Sequence, residues 1–192
     1  MIVFKPRYIS FLLLLFAFVV SSAPRVDHVL ATKQGKLLDR FDFYIAAADS
    51  GEIVTRHKNG RVNIRLPFKK GLRDGVAVIY YDNGQKETER LYKKGLIMKP
   101  IKTWHKNGQL MSIMPIENQV SHGIFKKWND SGKLILEETY INGKREGESM
   151  EWFDSGKIKV INTFLDDELK YSKQYDESGK LFFESDFANV RK

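Results

Sequence analysis

Cysteine is absent from the 192 residues, and histidine occurs only four times. Without cysteine the chain has neither a disulfide framework nor a thiolate metal site. The histidines, His28, His57, His105 and His122, include no close pair of the kind that helical zinc motifs use. Proline, glutamine and serine form no long tract, and 42% of the residues are hydrophobic. This composition excludes wholesale disorder and a polytopic membrane protein.

Long hydrophobic runs are also scarce, and the one that stands out lies near the N-terminus. It extends from Ile9 to Val20, follows Lys5 and Arg7, and has Ser10 as its only polar member. A run of this length is typical of a signal peptide, whereas a membrane-spanning helix needs about 20 apolar residues. We therefore predict a signal helix over residues 1–22 and export to the periplasm or the cell exterior, with an uncleaved inner-membrane anchor as the alternative.

Residues 23–50 are predicted to cap the N-terminal end of the fold. Phe41, Phe43 and Ile45 alternate with Asp42 and Tyr44, which is the pattern of a half-buried strand. A repeat array needs an atypical end unit that covers its first open strand edge.

The feature that organises the remaining residues, 51–192, is a recurring glycine. Its positions are spaced 24 residues apart with a final spacing of 23: Gly60, Gly84, Gly108, Gly132, Gly156 and Gly179. A strict period of this length predicts a tandem repeat array, here of six units: 51–74, 75–98, 99–122, 123–146, 147–170 and a shortened 171–192. Large aromatic residues stand at even offsets from the glycine, which is typical of strands and not of helices. We expect them to form the core: Tyr80, Trp104, Trp128 and Trp152 before the glycine, and Tyr92, Tyr140 and Phe164 after it.

The glycines lie in turn sequences, three of the form Asn-Gly and three of the form Ser-Gly preceded by an acidic residue. Glycine tolerates the positive φ that such turns require. A three-residue loop ending at Gly132 places Trp128 opposite Leu134, whereas a two-residue loop places it opposite Ile135. The first register is favoured, because we expect it to group Trp128 with Leu134, Leu136 and Tyr140 on one side.

Three pentapeptides carry a family resemblance: Tyr80-Tyr81-Asp82-Asn83-Gly84, Trp128-Asn129-Asp130-Ser131-Gly132 and Trp152-Phe153-Asp154-Ser155-Gly156. Over about residues 51–187 the chain resembles the bacterial variant of the MORN repeat, with departures at Arg56, Lys86, Lys99 and Tyr171. The resemblance implies an all-β fold, an elongated array of antiparallel β-hairpins. Some bacterial relatives are labelled antitoxin components of toxin-antitoxin systems, and other MORN proteins are scaffolds or are reported to touch lipid.

Catalytic motifs are not apparent. Ser131, Ser155 and Ser178 recur with the turns, and a residue that recurs in several units is a poor candidate for a unique nucleophile. The Lys-Asn-Gly sequences precede no helix and so do not resemble a phosphate-binding loop. We predict a protein that is not an enzyme and that uses no cofactor or metal.

The net charge of +8 is unevenly distributed. Residues 51–74 hold seven basic and two acidic side chains, whereas residues 147–170 hold three basic and six acidic ones. Arg56, Arg61, Arg65 and Lys69 are therefore candidates for contact with an acidic protein or an anionic lipid surface. The alternative is that these charges only keep an exposed face soluble.

Aromatic residues offer a second candidate contact surface. Trp104, Trp128 and Trp152 form either a ligand ladder or part of the core, and the core is favoured. Tyr81 and Phe153, which follow an aromatic residue, are expected on the other face and are the better partner contacts. We predict an exported scaffold that binds a protein in the cell envelope or outside the cell, and no nucleic acid. The alternatives are adhesion to an anionic membrane or cell wall, and an antitoxin-like role that neutralises a partner protein.

Overall fold

The computed structural model describes residues 50–187, together with the backbone of residues 30–31 and 37–38. The described residues form strands and turns, and they include no helix that could cross a membrane. The predicted signal peptide and the predicted strand at Phe41, Phe43 and Ile45 lie outside the described residues. The strands are β1 (Leu30–Ala31), β2 (Leu37–Leu38), β3 (Ser50–Arg56), β4 (Val62–Lys69), β5 (Leu72–Arg73), β6 (Gly75–Tyr80), β7 (Lys86–Lys93), β8 (Leu96–Ile97), β9 (Ile101–Trp104), β10 (Leu110–Met114), β11 (Ile116–Glu117), β12 (Val120–Ser121), β13 (Gly123–Trp128), β14 (Leu134–Ile141), β15 (Lys144–Trp152), β16 (Ile158–Leu165), β17 (Glu168–Tyr175) and β18 (Leu181–Asp186).

Fourteen of these strands form one antiparallel sheet. Twelve follow each other in chain order from β3 to β18, while β5 and β8 are short additions that pair with β4 and β7. Because neighbouring strands lie about 4.8 Å apart, the twelve-strand path is about 50 Å long. The pairs β1–β2 and β11–β12 form separate two-stranded sheets. The prediction of an all-β array of antiparallel hairpins is confirmed for the described residues.

The turns at the recurring glycines share one geometry, a three-residue loop. In the loop that ends at Gly132, the Asn129 amide donates to the Lys133 carbonyl at 2.9 Å, and the Gly132 amide donates to Asn129 at 3.0 Å. Gly132 has a φ of 80°. The Asn-Gly turn at Gly84 makes the same two bonds, so the two-residue loop is not used there either. Trp128 lies opposite Leu134, as predicted.

The prediction that Trp128, Leu134, Leu136 and Tyr140 share one side is wrong. A β-bulge follows the loop: Lys127 pairs with Leu136, but the next residue, Trp128, pairs with Leu134. The bulge adds one residue to β14, and a shift of one residue moves a side chain to the opposite face of a sheet. Trp128 and Leu134 therefore lie on one face, and Leu136 and Tyr140 lie on the other.

The turns between consecutive units are shorter and use two residues with positive φ. Examples are Lys70-Gly71, Asn142-Gly143 and Asp166-Asp167. Positive φ at both central positions is the mark of a type I′ turn, whose twist matches that of the strands it joins. The short turns and the three-residue loops lie at opposite edges of the sheet.

The two faces of the sheet differ in burial. One face, here called the core face, carries the most buried aromatic residues, with Phe68 at 4%, Tyr92 at 6% and Phe164 at 7% exposure. Leu66 and Phe68 form a cluster against which Ile53, Ile64 and Ala77 pack. The other face, here called the tryptophan face, carries Trp104, Trp128 and Trp152, all of them half-buried. The aromatic residues predicted as one core thus lie on two faces.

Candidate binding surfaces

The first unit and the start of the second bring basic and apolar side chains together on the tryptophan face. The register places Arg65, Lys69, Leu72 and Val76 on this face, and we call these four residues the basic-apolar patch. Leu72 and Val76 are each 46% exposed, and both basic residues are exposed. Arg65 forms an ion pair of 2.9 Å with Glu52, whereas the structure gives Lys69 no ion pair among the described residues.

The other two predicted basic contacts lie at the first central turn and not in the patch. Arg56 donates from Nη1 to the Gly60 carbonyl at 2.9 Å. Arg61 donates from Nη1 to the Asn83 carbonyl of the next unit at 2.5 Å. Both side chains are therefore engaged in bonds that fix the turn edge. The structure brings together only Arg65 and Lys69 of the four residues.

Tyr81 and Phe153, the predicted aromatic contacts, lie between repeat units. The Tyr81 hydroxyl donates to the Trp104 carbonyl in the next unit at 2.8 Å. Burial raises the pKa of the Tyr81 hydroxyl. The Lys159 ammonium lies 6.0 Å from the centre of the Phe153 ring. Both aromatic side chains are half-buried, so part of each remains accessible from solvent.

A series of hydrogen bonds between units, which sequence reasoning missed, runs along the turn edge. Three asparagine side chains each donate to a backbone carbonyl in the next turn, and two histidines and one tyrosine bond to the carbonyl of the next unit's aromatic residue. The bonds are Asn59 to Asp82 (2.7 Å), Asn83 to Lys106 (2.8 Å), Asn107 to Asp130 (2.7 Å), His57 to Tyr80 (2.7 Å), Tyr81 to Trp104 (2.8 Å) and His105 to Trp128 (2.9 Å). In the sequence, these polar residues recur every 24 residues, and this recurrence is the pattern that predicts the series of bonds.

Exposed apolar residues also recur with the repeat, and sequence reasoning missed them too. Leu72, Leu96 and Val120 stand 24 residues apart and are 46%, 52% and 40% exposed. Each follows a short turn between units. They continue the apolar part of the basic-apolar patch along the same edge.

A carboxylate and two hydroxyl groups meet on the core face where the fourth and fifth units pair. The Tyr140 hydroxyl donates to Glu138 at 3.0 Å, and the Ser149 hydroxyl donates to the other carboxylate oxygen at 3.4 Å. Burial and the Glu138 carboxylate raise the pKa of Tyr140 to about 12. Within residues 50–187 no group of three or more histidine, aspartate and glutamate side chains could hold a metal ion.

The geometry defines a class of protein, a tandem array of β-hairpins in a single sheet. The model of the MORN repeat variant family matches residues 73–94, 121–142, 145–166 and 171–189. The chain thus belongs to the proteins built from MORN-variant repeats. Two stretches between residues 51 and 120 are not matched, and they contain the departures Arg56 and Lys99.

No curated protein matches the chain. Two solved structures are similar to it at low identity. One is described as accessory secretory protein 1, 2 and 3 in Streptococcus pneumoniae, with 12% identity, a TM-score of 0.27 and coverage of 78% of this chain and 24% of that one. The other is the GtfA/B complex bound to UDP and GlcNAc, with 13% identity, a TM-score of 0.26 and coverage of 88% and 29%. The chain spans less than a third of each of these two chains.

Proposed function

We propose that the chain is a non-catalytic, exported scaffold that recognises an acidic protein partner in the cell envelope or outside the cell. The observation that carries this proposal is the basic-apolar patch, in which Arg65 and Lys69 lie beside Leu72 and Val76, each 46% exposed. Charged groups accelerate encounter with a partner of opposite sign, and apolar groups supply affinity once water is displaced. The patch combines both properties on one face.

The excess of positive charge around the patch favours an acidic partner. Residues 51–74 hold seven basic side chains against two acidic ones. Leu96 and Val120 extend the apolar surface toward the next two units. A stable protein interface covers about 800 Å² on each partner, which is more than four side chains provide. The extension enlarges the apolar surface beyond the patch along the same edge.

A second candidate function is adhesion to an anionic membrane or cell-wall surface, as an alternative to protein recognition. It is favoured by the contrast between the basic first unit and residues 147–170, where six acidic side chains oppose three basic ones. Adhesion of this kind depends on charge and is screened by salt. Recognition through Leu72 and Val76 is less sensitive to salt.

The test first identifies the partner by cross-linking the exported chain to envelope proteins. The affinity between the chain and this partner is then measured. We expect the double substitution Arg65→Glu/Lys69→Glu to weaken binding by at least about tenfold. Leu72→Ser/Val76→Ser should weaken it by a similar factor. Lys127→Glu/Lys180→Glu is the matched control, since both lysines are exposed and lie outside the first two units, and it should change the affinity by less than about twofold. Equal loss in the control would contradict the assignment of the patch.

Vesicles of anionic lipid separate the two candidate functions. Under the protein hypothesis, binding to the identified partner persists at high ionic strength, and binding to vesicles stays weak. If the Leu72→Ser/Val76→Ser variant still binds the vesicles, and high salt abolishes that binding, the second candidate function replaces the first.

Export is tested by fractionation and N-terminal sequencing of the extracytoplasmic chain. The predicted cleavage after Ser22 gives a mature chain that begins at Ala23. An intact N-terminus in the membrane fraction would favour the uncleaved anchor, and a chain confined to the cytoplasm would refute export.

A further inference from the structure

Asparagine is followed by glycine at four positions of the chain, and the four pairs differ in their surroundings. Three of them lie in the central turns, and the fourth lies in the short turn between the fourth and fifth units: Asn59-Gly60, Asn83-Gly84, Asn107-Gly108 and Asn142-Gly143. An asparagine before glycine is prone to deamidation, because glycine has no side chain to hinder the attack of its backbone nitrogen on the asparagine amide. The structure decides which pair reacts most readily.

In the central turns, both ends of the asparagine side chain are held by hydrogen bonds. The Asn83 side-chain oxygen accepts from the Gln85 amide at 3.0 Å, and the side-chain nitrogen donates to the Lys106 carbonyl at 2.8 Å. Asn59 and Asn107 each make the same two kinds of bond. To reach the glycine nitrogen, the amide carbon has to rotate away from both partners, so the two bonds oppose the reaction.

The side chain of Asn142 lacks these restraints. Within residues 50–187 it makes no hydrogen bond, while the Asn142 backbone amide donates to Nδ1 of His122 at 3.4 Å. Asn142 and Gly143 are both exposed. The Gly143 amide donates to the Ser121 carbonyl at 2.8 Å, and the glycine amides of the three central turns are also bonded, at 2.9 to 3.0 Å. The glycine nitrogen is therefore restrained at all four positions, and the difference lies in the asparagine side chain.

We propose that Asn142 is a site of spontaneous deamidation and that it converts before the other three asparagines. The Gly143 nitrogen loses its proton to hydroxide and forms a bond to Cγ of Asn142. The Cγ–Nδ2 bond breaks, and the side-chain nitrogen leaves as ammonia after taking a proton from water. Water then opens the cyclic imide, at Cγ to give aspartate or at the main-chain carbonyl carbon to give isoaspartate. This covalent change is independent of the proposed function, which concerns the first units.

The isoaspartate product does not fit the turn. Its main chain runs through the side-chain Cβ and Cγ, which adds one atom to a loop of two residues. Ile141 pairs with Lys144 across this loop, and the loop length fixes their pairing. Isoaspartate at position 142 therefore loosens the pairing of β14 and β15 at this edge, whereas aspartate keeps the backbone unchanged.

The test follows deamidation by peptide mapping and mass spectrometry in the full-length chain, incubated at mildly alkaline pH with and without urea. In the folded chain Asn142 should convert at least about tenfold faster than each central asparagine, because the two side-chain bonds there have to break first. In urea the four rates should become similar, because the same dipeptide is then unfolded at every position. Equal rates in the folded chain, or a lead of Asn142 that persists unchanged in urea, would overturn the proposal.

A substitution separates the lengthened backbone from the new charge. Asn142→Asp carries the charge of the product without the added atom. After the same incubation, trypsin should cleave at Lys144 faster in the unsubstituted chain than in Asn142→Asp, because protease attack follows local opening. Asn83→Asp is the matched control in a central turn, and it should be cleaved at Lys144 as fast as the unsubstituted chain. Equal cleavage of the incubated unsubstituted chain and Asn142→Asp would overturn the opening of the turn by isoaspartate.

Discussion

At single positions, the central turns depend on a glycine in the left-handed region. Gly132 has a φ of 80°, and the nearest atom to an added Cβ is the Gln109 side-chain oxygen at 3.6 Å. A methyl group at this position therefore fits, and a substitution of Gly132 costs free energy only through its backbone conformation. The left-handed conformation costs a non-glycine residue about 1 to 2 kcal/mol.

We predict that Gly132→Ala lowers the free energy of unfolding by about 1 kcal/mol, as measured by denaturant unfolding. Ser131→Ala in the same loop is the matched control, because the Ser131 contact with Asn129 is made by its backbone amide, which the substitution keeps. If both substitutions have the same effect, backbone strain at Gly132 is not the cause.

Tyr140 provides a prediction on pH. Its pKa is raised to about 12, and the folded state therefore keeps the hydroxyl protonated where an unfolded tyrosine, with a pKa near 10, ionises. The contribution of the protonated hydroxyl to stability is complete below pH 10 and is lost as the pH rises from about 10 to about 12. Stability measured against pH should fall less steeply over this interval in Tyr140→Phe than in the unsubstituted chain. Identical pH profiles would contradict the account.

At the level of the hairpin, the register was predictable from the sequence but the face of the tryptophans was not. The turn residues determine the loop, and the loop determines that Trp128 lies opposite Leu134. The grouping of side chains by even spacing fails, because it assumes that no residue is inserted into a strand. A bulge at the equivalent position recurs in the other hairpins, such as that between Ile79 and Tyr80. The bulge, and with it the face of each tryptophan, therefore becomes known only from the structure.

Contacts between hairpins give a further prediction. The Tyr81 hydroxyl donates to the Trp104 carbonyl of the next unit at 2.8 Å. Tyr81→Phe leaves this half-buried carbonyl without its donor and should lower stability by about 1 kcal/mol, measured by thermal unfolding. Partner binding should be unchanged, because the ring remains. Tyr80→Phe is the control, since its hydroxyl makes no hydrogen bond within the described residues. Loss of binding without loss of stability would instead assign Tyr81 to a partner interface.

For the whole molecule, the sequence predicted the tandem array and the contrast in charge along it, because both follow from residues counted in the chain. It could not distinguish Arg65 and Lys69, which join Leu72 and Val76, from Arg56 and Arg61, which bond to turn carbonyls. That distinction depends on which face the register gives each residue.

The central claim is that neighbouring units pair in one sheet with a fixed register. Because the chain has no cysteine, two introduced cysteines can test it without background. Ser112 and Lys127 belong to consecutive units and are direct partners, and partners in a sheet lie close enough for a disulfide. The account predicts that Ser112→Cys/Lys127→Cys forms a disulfide on mild oxidation. The control Ser112→Cys/Lys126→Cys is shifted by one residue, which places the two sulfurs on opposite faces, and it should not. A disulfide in the control and none in the first pair would contradict the register and, with it, the array.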